Sequence, residues 1–195
     1  MPMLENNAYA LNSQPSLLID LNERSSRIIG KVQPLAIPMT TRQCYISLHE
    51  ALNLRLPGES TGDWHFLSTF YSPANQPPVE ARRAGVGQGV DTTPSLGSLG
   101  VRDMSAILVE KGILTCRNGP VWVANHARAI ADCAMLALRS AHQPHAVTVD
   151  AVNQWLDTRT QIEDLVTNYL RPLRQQKQGG ELAKWDAWLE TIHYR

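Results

Sequence analysis

The amino-acid sequence predicts an α+β protein with a small antiparallel sheet, a helix–hairpin–helix unit and a C-terminal helical subdomain. Three observations predict it. Two β-prone runs, 17–21 and 27–32, flank a polar turn; residues 101–140 place helical spacing on either side of β-prone runs around Asn118-Gly119; and residues 146–195 carry apolar positions at helical spacing. With 195 residues and 43% hydrophobic content, the chain is large enough for one domain with an appended bundle. Its 18 Lys and Arg balance 18 Asp and Glu, so no net field draws it to nucleic acid or an anionic membrane, which disfavours an electrostatic DNA binder.

Residues 1–15 mix Asn, Gln, Ser and Pro without period and read as a flexible arm. An α+β domain is expected over 16–145. It begins with the two strands and a short third element at Leu35-Ala36-Ile37 between prolines. Thr40 with Gln43 makes a capping-box pattern, after which Cys44, Tyr45, Leu48 and Leu52 share a helical face. The aromatic run Trp64 to Tyr71 has strand propensity. Between residues 72 and 100 come four prolines and five glycines, and the few apolar residues show no period. The expectation there is a long Pro/Gly-rich loop, the least ordered internal segment, cut first by protease at Arg82-Arg83.

The 101–140 unit follows. Val101, Met104, Ile107 and Leu108 recur at helical spacing before Gly112, a residue suited to closing a helix. Ile113 to Cys116 and Val121 to Ala124 read as a hairpin around Asn118-Gly119, the dipeptide favoured in tight turns. Asn125 is an N-cap for a helix whose Ala127, Ile130, Ala134, Met135 and Leu138 form an apolar stripe, leaving Arg128 and Arg139 outward. In the helical subdomain, 146–195, Thr148 caps a short helix, and Ile162 to Leu173 gives the cleanest helical period, ended or kinked by Pro172. Gly179-Gly180 precedes a last helix with Leu182, Trp185, Leu189 and Ile192 on one face and Trp188 off it.

Cys44, Cys116 and Cys133 lie far apart without the paired spacing of a zinc or redox motif, and the N-terminus lacks a signal peptide's basic start and apolar core. A cytoplasmic protein with reduced cysteines and no cofactor is expected. The most site-like stretch is Asp63-Trp64-His65, where a strand would put the carboxylate and imidazole on one face. Asn125, His126 and Arg128 open a helix whose free amides suit an anion. Arg82 and Arg83 precede a glycine-rich run that matches no phosphate-binding pattern, and are contacts available to a partner. Together with Asn118 and Trp122, these residues form the expected partner-binding set. No catalytic set is visible, so the reading is of a non-catalytic protein-binding regulator. Two alternatives stand beside it: a winged-helix-like DNA binder using Arg117, Arg128 and Arg139, and a hydrolase or metal-dependent enzyme using Asp63, His65 and His126.

The phrases Leu-Pro-Gly-Glu-Ser-Thr-Gly-Asp-Trp-His-Phe at 56–66 and Val-Trp-Val-Ala-Asn-His-Ala-Arg-Ala-Ile-Ala-Asp at 121–132 resemble those of uncharacterised bacterial proteins that accompany nucleotidyltransferase-like toxins. The likeness covers roughly residues 45–175. It implies an antitoxin or regulatory partner whose target is another protein, a cognate toxin, and it carries over no functional residue. The balanced charge departs from the acidic character of antitoxins that mask a basic active site.

Overall fold

The computed structural model describes residues 8–9, 16–19, 28–56, 58–59, 67–114, 119–139 and 147–194. The protein is α+β. The first two predicted strands form: β2 (Ser16–Ile19) pairs antiparallel with β3 (Ile28–Pro34), which continues to β6 (Tyr71–Pro73), while β1 (Ala8–Tyr9) pairs with β4 (Ile37–Pro38). A further, four-stranded sheet runs in the order β7 (Arg83–Gly85), β5 (Cys44–Ile46), β9 (Trp122–Ala124), β8 (Val101–Asp103). It is antiparallel except where Ile46 of β5 lies parallel to Val123 of β9.

This sheet departs from the sequence reading at three places. Cys44 to Ile46 were expected in a helix, yet a strand with partners on both sides satisfies its main chain as fully as a helix does. Thr41, not Thr40, closes the turn before it, its Oγ1 accepting from the amides of Gln43 and Cys44. The helix shrinks to α1 (Leu48–Leu52), entered through Leu48 at φ +60°. Val101 to Asp103 were likewise expected to be helical, and instead form β8, leaving α3 at Ser105–Glu110. Asp103 Oδ1 accepts from Ser105 N and Oγ and from Val121 N, so it holds the strand end to the helix start.

The third departure is the hairpin. The strand paired with Trp122 to Ala124 is Val101 to Asp103, not Ile113-Leu114, which fold back on α3 with both amides donating to Leu108 O. Residues 115–118, including Asn118 of the expected turn and Arg117, lie outside the described residues.

The Pro/Gly-rich segment is also more built than expected. It supplies β7 and α2 (Thr93–Leu96), and buries Ala81, Ala84, Val90, Thr92 and Leu96. Gly85 at φ +103° makes the close approach there, since a Cβ would stand 1.9 Å from Gln43 O. A 3₁₀ turn, Leu67–Phe70, leads into β6, and Phe70 is fully buried.

The helix α4 (His126–Ala137) sits at the centre. Eleven of its 12 residues are buried, so burial extends well beyond the expected apolar stripe and takes in His126, Arg128 and Asp132. Its five alanines let α1, the sheet and the C-terminal helices approach from several sides.

The helical region follows the sequence closely. Thr148 caps α5 (Val149–Trp155), its Oγ1 accepting from Ala151 N. Thr158 and Gln161 form a reciprocal capping box for α6 (Arg159–Asp164). The chain then widens into a π-helical segment, Leu165–Leu170, and tightens again as α7 (Arg171–Arg174). The wider turn lies just ahead of Pro172, whose ring would clash with the carbonyl four residues earlier in a regular α-helix. The last helix is α8 (Gly179–Leu189), which buries Trp188 as well as Trp185, their rings edge to face at 5.9 Å. Among the described residues no helix is long and apolar enough to cross a membrane.

Candidate functional site

The expected partner-binding residues fall in three places. Asp63, Trp64, His65 and Asn118 lie outside the described residues. Asn125, His126 and Arg128 meet at the start of α4, and Arg82 with Arg83 stands across the sheet at β7. Trp122 is half-buried in β9, its amide donating to Thr40 Oγ1 and its ring 4.6 Å from the Arg42 guanidinium carbon.

β9 delivers Asn125 to the head of α4 in extended geometry, and its Oδ1 accepts from Arg128 N at 2.8 Å. Gly100 O accepts from Asn125 N at 2.7 Å. Glycine is required there, because at φ +73° a Cβ would stand 2.6 Å from Asn125 Oδ1 and 2.9 Å from the Tyr169 hydroxyl. The capping role is as expected; the outward Arg128 is not. Its side chain is fully buried and points into the protein, so it is not offered to a partner or to DNA.

Arg128 is the hub of a polar cluster within the core. Its Nε donates to the Tyr45 hydroxyl at 2.8 Å, and Nη1 donates to Leu99 O at 2.9 Å and Gly97 O at 3.3 Å. Asp132, one helical turn on, lies 3.6 Å from Nε. Its carboxylate accepts from Thr92 Oγ1 at 2.5 Å, Ser47 Oγ at 2.6 Å and the Tyr45 hydroxyl at 3.1 Å. Burial pushes the Asp132 carboxyl up, against the pull of Arg128 and the three hydroxyls. Burial, and then the Asp132 charge, raise the Tyr45 phenol. This arrangement joins β5, α1's entry, the 91–100 segment and α4. Arg128 and Asp132 are four residues apart, so the sequence puts the two charges on one helical face, although it does not show that this face is buried.

His126 is 3% exposed, with Nδ1 3.0 Å from Trp155 O and Nε2 3.0 Å from Leu54 O. Both ring nitrogens thus face main-chain oxygens. That removes His126 from the expected metal or acid–base pair with His65, since a ligand or base needs a lone pair free for substrate or ion. A cleft of about 400 Å³ lies beside it, lined among others by Glu59, Arg102, Gln161, Asp164 and Tyr169. Its polar groups are largely engaged with one another: Arg102 pairs with Glu59, and Gln161 Nε2 donates to Glu59 O at 2.6 Å.

The arginine pair is different, because it is presented outward on a firm base. Arg82 O accepts from Ser47 N, and Arg82 Nε donates to both oxygens of the buried Glu50 at 2.9 and 3.0 Å. The side chain is still 50% exposed. Arg83 lies 3.5 Å from Glu80. A groove of about 440 Å³ opens here, lined by Leu48, Ala81, Val90 and Leu136 as well as the two arginines. Leu136 is the single exposed residue of α4, and Val79 and Val86 stand out on the same segment at 51% and 52% exposure.

No family model, curated protein or solved structure matches the chain.

Proposed function

We propose that this chain is a non-catalytic, cytoplasmic protein-binding regulator, the antitoxin-type partner of a bacterial toxin, and that the partner docks on the Arg82/Arg83 groove. The observation that supports this reading is the groove that sets Arg82 and Arg83 beside exposed Leu136 over an ordered strand, on a segment that also exposes Val79 and Val86. Arginine is enriched among interface hot spots, and Glu50 pre-orders Arg82 so that less side-chain entropy is lost on docking.

The rest of the expected set contributes differently. Asn125, His126 and Arg128 are buried within the core, and Trp155, Trp185 and Trp188 are core residues rather than anchors. The DNA-binding alternative loses Arg128 from its contact surface. The enzyme alternative loses His126 as a free group.

The test is purification of the tagged chain with its untagged genomic neighbours. A stoichiometric partner is expected, released by Arg83→Glu and by Leu136→Asp in proteins whose circular dichroism is unchanged. A clean monomer from that host, or a partner indifferent to both substitutions, would refute the assignment.

A further inference from the structure

A second surface, remote in sequence from the groove and independent of the reading above, brings two arginines to one cleft. From Arg159 to Arg174 the chain is one continuous helical run through α6, the π segment and α7. In a uniform α-helix of 3.6 residues per turn, Arg159 and Arg171 would point roughly a third of a turn apart. The π segment between them spends more residues on each turn and rotates Arg171 back towards the side that carries Arg159. Both arginines line one cleft of about 460 Å³.

Neither guanidinium has a carboxylate partner among the described residues, whereas Arg82, Arg83, Arg102, Arg128 and Arg174 each have one. The cleft is also polarised. Thr167 and Arg171, four residues apart, form one end. Arg159 and Glu163, also four apart, form the other, where the Arg159 guanidinium carbon lies 6.0 Å from the Tyr194 ring centre. Ile162, Val166 and Ile192 add apolar lining, and His193 completes it. The segment bearing Tyr194 is tied to α5, since Asn153 Nδ2 donates to His193 O at 3.1 Å.

We propose that this cleft binds a small organic phosphate with a flat ring body, the chemistry of a nucleoside phosphate. The phosphate is held by the Arg171 fork and the Thr167 hydroxyl, a planar donor pair suited to phosphoryl oxygens. The ring lies along Ile162 and Val166 to the Arg159–Tyr194 platform, where Glu163 accepts from a ring amino group. The volume suits a ligand of that size. An inorganic phosphate would use one end only.

The experiment is calorimetric titration of the full chain with ADP, adenosine, inorganic phosphate and ribose 5-phosphate. ADP is expected to bind with a submillimolar Kd, and each of the other three about tenfold or more weakly. Arg171→Ala should weaken ADP about tenfold and leave adenosine unchanged, whereas Arg159→Ala should weaken ADP and adenosine alike. Arg159 and Arg171 are exposed, and circular dichroism checks that both variants fold. No heat with ADP at millimolar concentration would overturn the proposal. So would ADP binding that survives Arg171→Ala, or inorganic phosphate or ribose 5-phosphate binding as tightly as ADP. An acidic peptide that displaces ADP and binds more tightly would assign the cleft to a protein partner and overturn it equally.

Discussion

A charged side chain taken wholly out of water must find its partners within the fold, and Arg128 finds four: Tyr45, Leu99 O, Gly97 O and Asp132. Its Nη2 has no hydrogen-bond partner among the described residues, so the cluster already lacks one bond. Removing Asp132 would leave the buried guanidinium with neutral partners alone, the Tyr45 hydroxyl and two main-chain carbonyls, with Ser47 and Thr92 losing their acceptor as well. Asp132→Ala should therefore cost about 3–5 kcal/mol, far above the loss of one ordinary hydrogen bond. Urea unfolding measures it, and a loss near 1 kcal/mol would show that water or a shifted Tyr45 replaces the carboxylate. Asn125 was legible from sequence because capping depends on the residue and its immediate neighbours. The inward turn of Arg128 was not, because it depends on Tyr45 and Thr92, which are distant in sequence.

At the scale of elements, the same division separates what the sequence told from what it hid. Thr148, with Val152 and Trp155 turned inward, identified α5 because cap and apolar face lie within a single short stretch. β5, β8 and β7 were hidden because each is three residues long, too short for a period, and each is defined by partners on other segments. Helix pairing in the C-terminal region gives a pH prediction. Arg174 of α7 donates to both oxygens of Asp186 in α8 at 2.5 and 3.0 Å, and these hydrogen bonds hold the Asp186 carboxyl below the usual carboxylate range. Because the folded value is depressed, the pair's contribution is complete above the unfolded carboxylate value, roughly pH 4, and is lost as pH falls through the folded one. The site is open to solvent, so the effect is small. Melting temperature followed from about pH 6 to pH 3 should fall less steeply in Asp186→Asn than in the parent. Parallel curves would show that the Arg174–Asp186 pair adds nothing to the hold between α7 and α8.

Over the whole molecule, the segment from 72 to 100 decides how the two sheets share one core. Its composition argued for a loop, since prolines remove donors and glycines add unfolded-state entropy, and that argument holds for the isolated segment. It fails here because the segment is not isolated. Ala81 N donates to Ala36 O, Ala36 N to Val79 O and Ser47 N to Arg82 O, so this stretch is bonded to 33–47 along much of its length. Thr92 then reaches Asp132, and Leu96 is buried. A protease needs several consecutive residues freed from such bonds before it can bind the chain, which demands opening β7 from β5. Trypsin should therefore spare Arg82-Arg83 in the free protein, although both side chains reach solvent. First cleavage elsewhere, with cutting at this pair only at the rate of global unfolding, is the expected result, measured by mass spectrometry across a urea series. Early cutting after Arg82 or Arg83 without denaturant would mean that β7 opens on its own, and that a partner seated on the groove must order the strand as well as bind it.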